Sequence, residues 1–160
     1  MKLYVVAVGH RMPAWVNAGF GDYARRMPRE ARLILKEIKP ESRGSGAVSA
    51  LTVERMRTAE SRRIVAALPR GCYTVVLDEH GDSFATRQLA GNVGRWQREG
   101  HDVAFIIGGA DGTADALKRE ANMVWSLSPL TLPHGLVRVV LAEQLYRAVS
   151  ILNNLPYHRE

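Results

Sequence analysis

Residues 103–112 read Val-Ala-Phe-Ile-Ile-Gly-Gly-Ala-Asp-Gly, five apolar residues running straight into a glycine-rich turn. An apolar run of this length with no polar alternation suits a strand covered on both faces, as in a parallel sheet. The same form recurs at LYVVAVG (3–9) and CYTVVLD (72–78). ARLILKEI (31–38) alternates apolar and polar residues as a half-covered strand would, and MVWSLS (123–128) is a shorter run. Between them lie segments with helical spacing or composition: 12–27, 48–68, 86–99, 113–121 and 136–153. Strands alternating with helices predict an α/β domain with a mainly parallel sheet flanked by helices. With 160 residues, no internal repeat and no clear linker, residues 1–160 are expected to form a single domain.

Composition narrows the function classes. The single cysteine, Cys72, excludes an intrachain disulfide and any Cys-rich zinc site. It opens an apolar run and reads as a structural thiol. The opening MKLYVVAVGH is too short in its apolar part for a signal peptide, and no apolar stretch approaches the ~20 residues of a membrane span. A cytoplasmic protein with no membrane partner is expected. The net charge of +6 is uneven: residues 20–70 carry twelve Lys/Arg against six Asp/Glu, and the remainder carries ten of each. Ten of those twelve cations are arginines, whose planar fork matches phosphate oxygens and stacks on bases. Such a segment fits a polyanionic partner, and equally a helix face laced with salt bridges.

Three strand ends run into Gly or Pro: VVLDEHG, FIIGGADG and SLSPLTLPHG. Ligands of open α/β sheets bind outside the carboxyl ends of the strands, and a glycine there lets a ligand approach the backbone. Gly108–Gly112 could cradle such a ligand, or be a plain turn; its spacing is neither the G-x-G-x-x-G fingerprint nor a P-loop. The loop Ser128-Pro129-Leu130-Thr131-Leu132-Pro133 is apolar, and its two prolines deny it regular structure. Its backbone groups could serve a flat heterocycle such as adenine, with Leu130 and Leu132 stacked against it. Further along stand His134, Arg138, Glu143, Arg147 and the tail Tyr157-His158-Arg159. Glu143 and Arg147 have the spacing of a surface ion pair. Arg138, among valines, needs a carboxylate, a phosphate or a path to water. The tail offers an aromatic, an imidazole and a guanidinium, suited to stacking, proton transfer and phosphate contact, although such a terminus by itself reads as frayed.

Taken together, FIIGGADG, WSLSPLTLPHGLVRVVLAEQLYRA and PYHRE, with KLYVVAVGHRMPAWV and GFGDYARRMP, resemble the bacterial ribosomal RNA large subunit methyltransferase H family over essentially the whole chain. These are S-adenosylmethionine-dependent methyltransferases of the SPOUT class. The resemblance implies a C-terminal trefoil knot, which connection rules argue against. It also implies an obligate homodimer whose sites are completed by the second subunit. The implied reaction is methyl transfer to N3 of a pseudouridine in large-subunit rRNA on the assembled ribosome. Carried over by position, the S-adenosylmethionine pocket would comprise Leu77, Gly109 and Ser128, Pro129, Leu130, Thr131, Leu132 and Pro133. Tyr157, His158 and Arg159 would serve the target nucleotide, and His134 and Arg138 lie close enough in sequence to the cofactor loop to join it. Glu79–Asp82 receives no role.

In such a reaction the N3 proton must leave, which makes His158 the first candidate base and His134 the second. Arg159 or Arg138 would steady negative charge on the flanking carbonyls, and Tyr157 would stack on a base. No metal is called for. Two other readings remain open on the residues alone. One is a nicotinamide- or nucleotide-using enzyme with Gly108–Gly112 at the phosphates; the other is a non-catalytic ribosome-binding module that uses the arginine-rich segment.

Overall fold

In the computed structural model, which describes residues 1–159, five strands form one all-parallel sheet. The strands are β1 (Lys2–Val8), β2 (Arg32–Ile38), β3 (Tyr73–Ser83), β4 (Val103–Ile107) and β5 (Met123–Ser126), in the order β2-β1-β4-β3-β5. The helices are α1 (Ala14–Arg26), α2 (Ala50–Ala67), α3 (Thr86–Arg98), α4 (Asp115–Glu120) and α5 (His134–Leu152). A 3₁₀ turn, Arg29–Ala31, leads into β2. The continuous apolar runs are central strands: β4 is buried along its whole length, and β1 from Leu3 onward. Alternate β1 residues serve two cores. Leu3, Val5 and Ala7 join Phe20 of α1, Val93 and Trp96 of α3 and Leu141 and Leu145 of α5 on one face. Tyr4, Val6 and Val8 meet Ile64 of α2 and Leu117 of α4 on the other. Together the two faces make a three-layer α/β/α sandwich.

Helix α5 begins at His134, two residues before the spacing predicts, with Pro133 at its cap. It lies between α1 and α3, and small residues set the approach. A Cβ on Gly19 would lie 3.1 Å from Val139 Cγ1, and one on Gly94 would lie 3.1 Å from Leu152 Cδ2. Leu141, Leu145 and Val149, spaced along one face of α5, are buried, whereas Leu152, at the helix end, is 36% exposed.

The stretch EHGDS (79–83) has the glycine and polar side chains of a turn, yet it is strand. Strand β3 continues through it to Ser83. Leu77 pairs with Trp125, the residues between arch away, and Asp82 then pairs with Trp125 again. Polar side chains suggested a turn; tertiary pairing with β5 keeps the backbone in the sheet. The pairing leaves no room at Gly81, where a Cβ would stand 2.7 Å from both the carbonyl carbon and oxygen of Val124. These are backbone atoms that cannot swing aside. Gly81→Ala is therefore expected to cost about 3 kcal/mol, the upper end for overpacking, read as a lowered urea midpoint. A midpoint within error of the parent chain would refute this close approach.

Candidate functional site

The carboxyl ends of β3, β4 and β5 open into a cleft of about 810 Å³, a volume within the range of small-molecule and cofactor sites. Its apolar wall is Leu77, Ile107, Leu127, Leu132 and Val137, and Gly108–Thr113 forms the opposite lip. The cleft brings together Leu77, Gly109, Ser128, Leu130, Thr131, Leu132, Pro133 and His134. Pro129 is exposed and lies outside its lining.

The two loops are built differently. At Gly108 a Cβ would stand 2.6 Å from Thr113 Oγ1 and 2.8 Å from the Gly112 carbonyl carbon. The lip thus folds back on itself, closed by Gly112 N–H donating to Gly109 O at 3.0 Å. Gly112 takes φ +76°, the left-handed conformation that glycine adopts without steric cost. In the facing loop, Ser126 Oγ donates to Ser128 O at 2.9 Å and Leu130 N–H donates to Ser128 Oγ at 3.0 Å. This loop is less covered than its composition suggested: Leu130 is 71% exposed at the cleft mouth. Its side chain has no covering layer in the single chain, because the loop turns only its inner edge to the cleft.

Several cleft residues carried no role in the sequence. Thr131 Oγ1 donates to Glu79 Oε2 at 2.6 Å, joining the loop to β3 just beyond Leu77. Asp78 pairs with Lys118 Nζ at 2.6 Å and accepts the His80 backbone N–H at 2.9 Å. Burial pushes the Asp78 carboxyl up, but the hydrogen bonds from Lys118 and His80 and the Lys118 charge outweigh it and leave it below its ordinary value. Arg57, half-buried on α2, donates to Thr113 O at 2.6 Å and so braces the glycine lip. The polar turn after Leu77 was the available signal for Asp78 to His80; nothing marked Arg57 out from its arginine neighbours.

His134 sits half-buried at the base of the cleft. Desolvation and then the charge of Arg138 hold its pKa below the ordinary 6.5, so the ring is neutral at neutral pH. With the folded pKa depressed, the unfolded chain binds more protons in the acidic window. This contribution to stability is full above about pH 6.5 and is lost as pH falls from there through the folded value. His134→Gln is expected to lose less stability than the parent between pH 7.5 and pH 5 by urea titration; equal losses would contradict the depressed value.

Arg138 is fully buried and outside the cleft lining, bonded to Glu37 and to the Gly9 carbonyl. The tail is also apart from the cleft, and it is docked. Tyr157 Oη bonds Glu143 Oε1 at 3.1 Å, its ring meets Tyr146 at 4.7 Å, and Arg147 lies over it at 4.7 Å. Glu143 and Arg147 are therefore a largely covered part of the tail's seat, with Arg147 Nε 2.8 Å from Glu143 Oε1. Burial, and then hydrogen bonds with Tyr23 and Glu143, raise the Tyr157 pKa, so the phenol stays protonated. Those positions lie 9–13 residues along α5 from His134, roughly 14–20 Å at the helical rise.

The arginine-rich segment is partly committed to internal pairs. Arg26 reaches Asp22 at 2.7 Å, Arg57 reaches Glu54 at 3.2 Å and Arg63 donates to Lys39 O at 2.9 Å. Arg43 pairs with Asp111 of the glycine lip, and Glu41 N–H donates to Glu60 Oε1 at 2.9 Å. Among the described residues, no group of three or more His, Cys, Asp or Glu is placed to hold a metal, and no helix is long and apolar enough to cross a membrane.

A parallel sheet with a glycine-lipped cleft at three strand ends is the architecture of α/β enzymes that hold a nucleotide-like ligand. Residues 1–158 match the family described as predicted SPOUT methyltransferase. Ribosomal RNA large subunit methyltransferase H of Ralstonia nicotianae is 59% identical over 159 residues, covering 99% of each chain. That of Laribacter hongkongensis is 56% identical over 160 residues and the full length of both. A solved structure described as a probable methylase family protein from Haemophilus influenzae Rd KW20 shares the fold, with a TM-score of 0.52 at 14% identity, covering 99% of this chain and 70% of that one. The chain belongs to the ribosomal RNA large subunit methyltransferase H family of SPOUT methyltransferases.

Proposed function

We propose that this chain is an S-adenosylmethionine-dependent methyltransferase acting on N3 of a pseudouridine in large-subunit rRNA, on the assembled ribosome in the cytoplasm, as a homodimer. The names of its relatives support an rRNA substrate. The observation that carries the cofactor is the cleft at the strand ends, whose Gly108–Thr113 lip folds back on itself too tightly to take a side chain at Gly108 and so lines the cleft largely with backbone. The apolar wall of Leu77, Leu127 and Leu132 suits an adenine ring, with backbone groups of Ser128–Pro133 at its polar edge. Pro129 and Leu130 sit at the outer rim. The cofactor supplies an electrophilic methyl group on a sulfonium, which N3 takes as it gives up its proton.

The chain's own residues orient and deprotonate. Because the tail is seated some turns of α5 away from its own cleft, a second copy is the reading that brings Tyr157, His158 and Arg159 to the nucleotide. Tyr157 stacks, His158 accepts the N3 proton and Arg159 steadies charge on the flanking carbonyls. His134, neutral at the cleft base, is the second acceptor. We also infer that the C-terminal segment is threaded as a trefoil knot. Membership of the SPOUT methyltransferase family supports it.

The test is incubation with methyl-labelled S-adenosylmethionine and, in separate arms, free rRNA, separated subunits and whole ribosomes. Label on N3 of one pseudouridine with whole ribosomes is expected. Label on another atom, equal label on free rRNA, or none at all would overturn the corresponding part of the proposal.

A further inference from the structure

Among the fully buried side chains of the described residues, only Trp96 is larger than Arg138. Burying a guanidinium is costly unless it is paired, and an apolar residue of similar volume often packs as well. Packing alone therefore does not account for a cation here. An apolar residue cannot donate in two directions at once, and Arg138 does. Nη1 donates to Glu37 Oε1 at 2.7 Å and Nη2 donates to Gly9 O at 2.9 Å. These bonds join α5 to the ends of β2 and β1, partners 101 and 129 positions away. Gly9 is itself held by its N–H donating to Ile38 O at 2.8 Å, and its φ of +124° sends the chain sharply away from β1. A Cβ built there would lie 3.2 Å from Arg138 Nη2 and 3.9 Å from His134 Nε2, so the three groups share one small space. His134 is one turn before Arg138 on the same face of α5 and lines the cleft.

We propose that Arg138, with Glu37, is a positioning residue: its fork locks the Gly9 turn to the first turn of α5 and thereby presents the His134 imidazole to the cleft in one orientation. Arg138 itself touches neither cofactor nor nucleotide. The proposal rests on the methyltransferase reading only for its kinetic arm.

The experiment compares Arg138→Met, Arg138→Lys and Glu37→Gln in the full chain. The His134 imidazole is followed by ¹⁵N NMR without cofactor, and single-turnover methyl transfer is measured on ribosomes at saturating S-adenosylmethionine. Arg138→Met is expected to shift and broaden the His134 signals and to slow transfer ten- to a hundredfold, with cofactor Kd within threefold of the parent. Glu37→Gln should move both readouts the same way by less. Arg138→Lys, which keeps the charge but not the fork, should recover only part of the rate. Unmoved His134 signals in Arg138→Met, or moved signals with an unchanged rate, would overturn the proposal. Should Arg138→Met fail to fold, Glu37→Gln carries the same comparison, because Glu37 is 37% exposed. Failure of the parent chain to bind S-adenosylmethionine would sink the cofactor reading alone; the imidazole signals would still decide the positioning role.

Discussion

Gly108→Ala is expected to abolish calorimetrically detectable S-adenosylmethionine binding while the circular dichroism spectrum stays that of the parent. The new methyl group would stand 2.6 Å from Thr113 Oγ1 and 2.8 Å from the Gly112 carbonyl carbon. Thr113 is only 3% exposed and cannot swing out, and Gly112 is backbone of the same lip. The lip must open, and the Gly112 to Gly109 hydrogen bond is lost with it. Its neighbours calibrate the effect. Gly112→Ala meets no atom within 4 Å and bears only the strain of φ +76°, about 1–2 kcal/mol, or roughly five- to thirtyfold in affinity at most. At Gly109 a Cβ would press the Glu60 carboxylate, the far end of a flexible side chain held by the Glu41 N–H, at 2.9 Å and Val8 Cγ1 at 3.1 Å, so alanine is only partly accommodated and a bulky residue is not. Undiminished binding by Gly108→Ala would remove the lip from the cofactor site.

The second large effect is complementation. A chain truncated after Pro156 and a Gly108→Ala chain should each be inactive, yet transfer methyl groups once mixed. In a mixed dimer the intact cleft of the truncated subunit meets the tail of the other, making one complete site. Random exchange would restore about a quarter of parental activity, since half the dimers are mixed and each has one working site. Equal cofactor affinity of the truncated and parent chains, measured by calorimetry, would separate loss of the tail from damage to the cleft. No recovery on mixing would mean that the tail acts in its own subunit or that dimers do not form.

The sheet was largely legible because its central strands are covered on both faces. The runs at 3–9 and 103–107 can satisfy such burial only as parallel strands between helices, and each is a central strand. The glycine lip and the loop after β5 were legible as strand ends, although only the resemblance attached a cofactor to them. What could not be read depended on contacts between distant positions. EHGDS has turn chemistry, and its second pairing with Trp125 is set by where β5 lies. Arg138 was recognisable as a cation needing a partner, but nothing local points to Glu37. The tail had the composition of a frayed end; its seat is made by Glu143, Tyr146 and Arg147 together, which no window of sequence presents. Leu130 erred in the opposite direction, since an apolar residue between prolines suggested cover that the single chain does not provide.

The internal pairs of the arginine-rich segment bear on how the binding of any polyanion there would answer to salt. Each cation that settles on a phosphate releases roughly one condensed counterion, and the slope of log affinity against log salt counts those releases. Arg26, Arg43, Arg57 and Arg63 already face carboxylates within the chain. Phosphate must displace those carboxylates before such arginines contribute fully, so the slope should fall short of the twelve cations of residues 20–70. Arg43 is the instructive member, because its carboxylate belongs to Asp111 on the glycine lip. A phosphate that captured Arg43 would uncouple the lip from the loop before α2, and ionic strength would then reach the cleft through this arginine-rich surface.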